Sequence, residues 1–213
     1  MTQVPPVAAI ADVLALWGLD GWLTPPLQPV VRADAPMMGR VRTVQVAYAD
    51  SGPGFAAMYD LLSSDLSGQV VLVADANTVP GAVWGEILSQ AAAGSGAVAA
   101  LVDGSVRDRV EMAAVGMPVY GASTAVVGPA GRAHVVAVDA EVMVGGVAIA
   151  AGDTVVVDSA GCVRVRAADA AAVVAAAQQY AAGEERVVTA LVTGDKLSSA
   201  YLHKAQVVQA IRR

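Results

Sequence analysis

Two unbroken apolar runs of strand length, residues 70–74 and 98–102, limit the folds open to this chain more than any other feature. A strand that is apolar at every position is buried on both faces, which is the signature of a parallel sheet covered by helices. Ahead of them, residues 41–47 alternate around Arg42, Thr43 and Gln45 and read as a half-buried strand. Between the strands, 55–62 and 82–93 have helical length and composition, the second with Gly85 in its first turns. The order is β-α-β-α-β, so the spacing predicts parallel strands with helical crossovers. A helix over 106–115 and a strand over 118–120 continue the series. A helix over 7–16 precedes it. A Gly/Pro-rich loop over 18–29 follows that helix, with Trp17 and Trp22 as core or interface anchors.

The texture changes from residue 133. Short Val-rich runs at 135–138, 141–144, 147–150, 154–157 and 162–166 are separated by Asp139-Ala140, Gly145-Gly146, Gly152-Asp153 and Ser159-Ala160-Gly161. Such punctuation predicts an antiparallel meander. An Ala-rich helix over 167–182 is expected to stop at Gly183 as its C′ residue, and 198–211 can be helical. No repeat or linker interrupts the 213 residues, so 1–213 reads as one α/β domain with a parallel or mixed central sheet.

Composition removes several kinds of function. Net charge is −6, which argues against a nucleic-acid surface. The uncharged stretch 112–131 is broken by Gly116, Pro118, Gly121, Gly128 and Pro129, so no membrane helix is expected there. No basic-then-apolar leader opens the chain, and Cys162 is alone, which fits a reducing cytoplasm and a small core residue. Lys196 and Lys204 are the only lysines and both lie near the C-terminus, so a Schiff-base site is poorly supported. His134 and His203 are the only histidines, which leaves little for a zinc site or a Ser-His-Asp triad. His134 begins a Val-rich strand and reads as structural, while Tyr201 and His203 read as packing or contact residues. Catalysis, if present, rests on carboxylates, arginine, backbone amides and a metal.

The chemistry is expected near residues 101–109. There an apolar strand runs into Asp103-Gly104, and Ser105, Arg107 and Asp108 follow at once. In an α/β sheet, loops at the carboxyl ends of strands carry ligand sites. Arg107 can neutralise an anion, and Asp108 can hold a hard cation through oxygen. A plainer reading stands beside this one: Asp103-Gly104 as a turn, and Ser105 with Asp108 as a capping box. The junction after 70–74 leads to Gly85, Glu86, Ile87 and Leu88, whose early helical amides suit an anion on the same sheet edge.

Gly85-Glu86, Gly94 and Gly96, then Val102-Asp103-Gly104-Ser105-Val106-Arg107-Asp108 and Gly116-Met117-Pro118-Val119, resemble the RraA-like family. So does the run from Val147-Ala148-Ile149-Ala150-Ala151-Gly152-Asp153 to Asp158-Ser159-Ala160-Gly161, and the resemblance spans about 41–166. It departs at Val165-Arg166, where the family often has Val-Pro. The resemblance implies a swivelling β/β/α-type domain and the class II 4-hydroxy-4-methyl-2-oxoglutarate/4-carboxy-4-hydroxy-2-oxoadipate aldolase branch. It implies Arg107 and Asp108 as the catalytic residues, Arg107 binding substrate and Asp108 holding Mg²⁺ (or Mn²⁺), and Gly85, Glu86, Ile87 and Leu88 as the substrate loop. Asp108 is the residue that the family's ribonuclease E regulators commonly lack. Implied too are oxaloacetate decarboxylation as a side activity and a homotrimer or hexamer with sites near subunit interfaces. A glutamate of a neighbouring subunit is also implied, with Glu184 and Glu185 as candidates beside their reading as an exposed charged pair. Glu86 or Asp103 are candidates for orienting the base. The alternatives are a non-catalytic regulator that binds a protein, and a phosphohistidine carrier built on His134.

Overall fold

The computed structural model describes residues 3–212. The chain opens with α1 (Val7–Leu16), β1 (Gln28–Val31), β2 (Met37–Tyr48), α2 (Ala56–Leu62) and β3 (Gln69–Ala74). It continues through β4 (Ala82–Trp84), α3 (Glu86–Gly94), β5 (Ala99–Val106), α4 (Arg109–Val115) and β6 (Val119–Thr124). Then come β7 (Ala133–Val138), β8 (Val142–Val144), β9 (Val147–Ile149), β10 (Thr154–Asp158) and β11 (Gly161–Val165). Three helices close it: α5 (Ala170–Val192), α6 (Leu197–Ala200) and α7 (Leu202–Ile211).

Among the described residues nine strands form one sheet, in the order β1-β6-β5-β3-β2-β10-β11, with β4 beside β5 and β7 beside β2. The parallel heart expected from the apolar runs is there: β2, β3, β5 and β6 pair parallel. Alternation along β3 explains its unbroken hydrophobicity. Val71 and Val73 face a core shared with Met58, Leu62, Ala92 and Met112 of the helices α2, α3 and α4. Val70, Leu72 and Ala74 face the opposite core, which includes Val142, Val144, Val147 and Ile149 of the β8–β9 hairpin. A hairpin layer, a central sheet and a helical layer result, the mixed α/β architecture expected. Each such fully buried Val or Leu contributes about 1.5–3 kcal/mol relative to exposure.

The C-terminal strands form two hairpins rather than one meander. β8 pairs β9 apart from the main sheet, while β10 pairs both β11 and β2. The length of β2 explains the split. Its Met37–Arg40 segment takes β10 and its Val44–Tyr48 segment takes β7, both on the edge away from β3. Buried polar side chains tie these turns down. Asp158 accepts from Val7 N–H through Oδ2 and from Ala160 N–H through Oδ1, each at 2.8 Å. Asp153 accepts from Ala167 N–H at 2.9 Å and lies 3.6 Å from the buried Arg164 guanidinium.

Several boundaries differ from the sequence expectation. Residues 82–93 are not one helix: Ala82–Trp84 is a strand on β5, and α3 starts only after Gly85. β5 does not end at Asp103-Gly104 but runs to Val106, because Gly104 lets it pass close to Ala76, so no turn forms there. Ser105 is no cap, since its hydroxyl bonds Ser123 Oγ across to β6 at 2.8 Å, and α4 begins at Arg109. The 18–29 loop gives way to β1 at Gln28, which pairs β6. Gly183 does not stop a helix but lies inside α5, where a Cβ would sit 3.0 Å from Val207 of α7. Close helix packing, not termination, uses that glycine. No helix of the described residues is long and apolar enough to cross a membrane.

A Cβ at position 104 would fall 2.5 Å from the Ala76 carbonyl carbon, against backbone that cannot swing aside. Gly104→Ala is therefore expected to lose about 2–3 kcal/mol of stability by overpacking, read as a lower urea midpoint with unchanged slope. A midpoint equal to that of the parent would contradict the close approach.

Candidate functional site

Two strand ends converge on one cleft. The Arg107 N–H, just past β5, donates to Trp84 O of β4 at 3.0 Å, so the β4–α3 and β5–α4 junctions are locked side by side. Asp108 then takes a left-handed conformation (φ 58°, ψ 46°) as the N-cap of α4. Asp tolerates that region better than most residues, though still at some cost. Its carboxylate does not cap its own helix. Oδ2 instead turns to the N-terminus of α3, 3.4 Å from Glu86 N–H and 3.4 Å from Arg107 Nε. Gly85 makes that possible: a Cβ there would lie 2.5 Å from Asp108 Oδ2 and 3.1 Å from Arg107 Cγ.

Arg107 runs past Gly128, where a Cβ would stand 3.4 Å from Nη1. Among the described residues its two terminal nitrogens have no protein partner, and the side chain is 43% exposed. It can offer a two-pronged donor to an anion in the cleft. The cleft has a volume of about 460 Å³, and its walls include Phe55, Leu62, Trp84, Leu88, Pro129 and Ala133. That size suits a small organic ligand.

The expected site residues separate here. Gly85, Ile87, Leu88, Arg107 and Asp108 all line the cleft. Glu86 sends its side chain to solvent and contributes its backbone N–H. Asp103 does not line this cleft at all: it opens on a second cavity with Asp75 and Asn77. The carboxylate of Glu184 is held by Lys204 at 2.7 Å within the chain, and Glu185 is exposed on α5. His134 is buried with both ring nitrogens engaged. Nδ1 accepts from Gly54 N–H at 2.8 Å, and Nε2 lies 3.1 Å from Ala49 O. That leaves neither nitrogen open to carry a phosphoryl group, and the structural reading of His134 holds. Burial pushes the Cys162 thiol up to about 12, so it is an inert packing residue. Sequence reasoning missed the walls Phe55, Leu62 and Trp84 and the Gly128-Pro129 loop. Only the Gly-Pro turn pair was a usable signal for these.

The donor set can be tested against the divalent cation that the resemblance implies. Among the described residues no three His, Cys, Asp or Glu side chains gather as a metal cage. Asp108 presents one carboxylate to the cleft, with Oδ1 unpartnered among those residues and Oδ2 only loosely held. One carboxylate, with water and substrate oxygens completing the shell, is how Mg²⁺ commonly binds. The residues fit such an ion.

An α/β domain with a charged pair at adjoining strand ends is the class that fold and site define. Residues 7–165 match the RraA-like family, described as Aldolase/RraA, and the chain belongs to that family. No curated protein matches it. Among solved structures it is similar to an uncharacterized protein from Pseudomonas syringae pv. tomato (TM-score 0.81, 26% identity, 92% of each chain covered). It is also similar to Streptomyces coelicolor RraAS2, titled an unusual member of the RNase ES inhibitor RraA protein family (TM-score 0.73, 24% identity, 84% of this chain and 89% of that one). The RNA-processing inhibitor RraA from Thermus thermophilis follows at TM-score 0.59 and 22% identity, with 75% of this chain and 92% of that one covered. The last two likenesses speak for the fold alone.

In the second cavity, burial and then the nearby Asp75 raise the Asp103 pKa above its ordinary 3.8. The folded chain thus keeps that proton to higher pH than the unfolded chain does. Stability associated with this group declines as pH rises from about 3.8 through the raised folded value. Asp103→Asn removes the decline, and Asn retains an oxygen for the Asn77 amide. The variant is expected to gain on the parent between pH 3.5 and pH 7 in urea unfolding. A pH-independent difference would contradict the raised pKa.

Proposed function

We propose that the chain is a carbon–carbon lyase that cleaves a 4-hydroxy-2-oxo acid to pyruvate and a second carbonyl compound. 4-Hydroxy-4-methyl-2-oxoglutarate is one member of that substrate class. The observation that carries the reading is the Arg107–Asp108 pair, given room by Gly85 in a cleft, with the two terminal guanidinium nitrogens open among the described residues. In the cleavage, the C4 hydroxyl loses its proton and the C3–C4 bond breaks. The electron pair passes to C3 of a pyruvate enolate, C4 becomes a carbonyl, and a proton returns to C3.

The chain's own groups divide this work. The N–H groups of Ile87 and Leu88 at the start of α3 are free helix-terminal donors and, beside the Glu86 N–H that faces Asp108, hold the pyruvoyl carboxylate. Arg107 donates to the C4 oxygen and favours its ionised form, so that water can take the proton. Asp108 would hold Mg²⁺ or Mn²⁺, which supplies Lewis acidity at the 2-oxo oxygen when bound. The same enolate chemistry supports oxaloacetate decarboxylation. An assembly of three or six copies, as the resemblance implies, belongs to this reading.

A second reading, a regulator that binds a protein partner, is favoured by apolar side chains exposed near the site. Ile87 is 76% exposed and Val110, two residues from Asp108, is 80% exposed. Large exposed apolar groups of this kind suit a protein contact.

Deuterium exchange into the methyl group of pyruvate separates the two, because it needs only the enolate site. Exchange is expected with Mg²⁺, to stop with chelator, and to fall about 100-fold in Asp108→Ala, whereas Arg107→Ala, which removes the donor to the C4 oxygen, should keep exchange and lose about 100-fold in pyruvate release from the 4-hydroxy-2-oxo acid. Gly85→Ala should lose exchange comparably to Asp108→Ala, with a melting temperature close to that of the parent, since its Cβ displaces a side-chain oxygen rather than backbone. Mn²⁺ titration followed by electron paramagnetic resonance should lose its site in Asp108→Ala. Folded protein with neither exchange nor metal binding would overturn the lyase reading in favour of the regulator.

A further inference from the structure

The residues that line the cleft fall into two chemically different groups. One is polar, with Arg107, Asp108 and the N-terminus of α3. The other, from α2 and α3, is mainly apolar: Phe55, Tyr59, Leu62, Leu88 and Ala91, with Ser63 beside Leu62. The rings of Phe55 and Tyr59 meet edge to face with centroids 6.2 Å apart, which fixes the wall. Among the described residues that line the cleft, Arg107 is the only basic side chain.

We infer that, if the lyase reading is right, the substrate is a monoanion. It is a 4-hydroxy-2-oxo acid whose C4 carries an apolar aliphatic or aryl group, and the second product is an aldehyde or ketone without a carboxylate. The single carboxylate and the oxo group take the polar group of residues and leave the C4 substituent for Phe55, Leu62 and Leu88. A second carboxylate turned to that wall would lose its hydration, and Arg107, the one cation of the described lining, is already engaged at the C4 oxygen. An alkyl or phenyl group gains from the same burial. At about 0.8 kcal/mol per buried methylene, each added carbon is worth about a fourfold gain in kcat/KM.

The test uses the full chain with Mg²⁺. Pyruvate release is measured from 4-hydroxy-2-oxo acids with methyl, propyl and phenyl at C4, and from 4-hydroxy-4-methyl-2-oxoglutarate. Pyruvate methyl exchange, which is blind to the C4 group, is followed in parallel. The expected result is exchange together with a rise of about tenfold or more from methyl to propyl. The diacid is expected to be the slower substrate, by at least about tenfold. Phe55→Arg is expected to raise the diacid-to-monoacid ratio about tenfold or more, and a ratio within one preparation is insensitive to its folded fraction. Exchange with a flat methyl-to-propyl series, or with the diacid preferred, would overturn the inference and leave the lyase standing. Absent exchange would remove the lyase, and this inference with it.

Discussion

The Arg107 N–H to Trp84 O hydrogen bond joins two strand ends that the chain separates by more than twenty residues. Everything at the cleft follows from it. β4 is too short to hold a position of its own, and its order comes from pairing with β5 and from the Ala82 N–H to Val127 O bond, 2.8 Å long, on its other side. With β4 fixed, α3 starts at Gly85 and aims its N-terminal amides at the space beside Asp108. One backbone contact thereby converts two ordinary βα junctions into a site with a cation, an anion and free amide donors.

That contact explains what could be read in the residues and what could not. The apolar runs of β3 and β5 announced a parallel sheet because burial on both faces leaves a compositional trace in every position. The start and end of α1 were equally legible, with Pro6 before it and the Trp17-Gly18 stop after it. β4 was not. Ala82-Val83-Trp84 reads as well for a helix as for a strand, and only a tertiary partner, β5, decides between them. Gly183 misled for a related reason. A glycine can end a helix or admit a neighbouring one, and nothing local shows that Val207 packs there.

Legibility of the site divides along the same line. Arg107 and Asp108 stood out because polar groups crowd the end of an apolar strand. Asp103 stood out as well, yet β5 carries it to the opposite cavity. The difference is one of strand continuation: Gly104 allows β5 to run on to Val106, so Asp103 stays within the strand on the face of Ala99 and Leu101, while Arg107 and Asp108 lie past its end at the junction with α4. The apolar wall from Phe55 to Leu62 carried no signal, because an aromatic or leucine of α2 that lines a cleft looks the same in sequence as one that fills a core.

Asp108 shares the left-handed region with Asp75, Ala130 and Asp139 among the described non-glycine residues, and is the one of the four that lines the cleft. A non-glycine residue in the left-handed region costs free energy that a glycine would not. Gly116 occupies the same region at the far end of α4, where no side chain is needed (φ 80°). At Asp108 the chain keeps a carboxylate in spite of that cost, and keeps Gly85 opposite to clear space for it. The ion pair with Arg107 cannot be the return, since a half-exposed pair at 3.4 Å contributes little to stability. Local strain, a cleared neighbour and an underused carboxylate are the support for the proposal that Asp108 holds a ligand. A fold shared with inhibitor proteins leaves the role open; the strained carboxylate beside an open guanidinium is the feature of this chain that argues for chemistry.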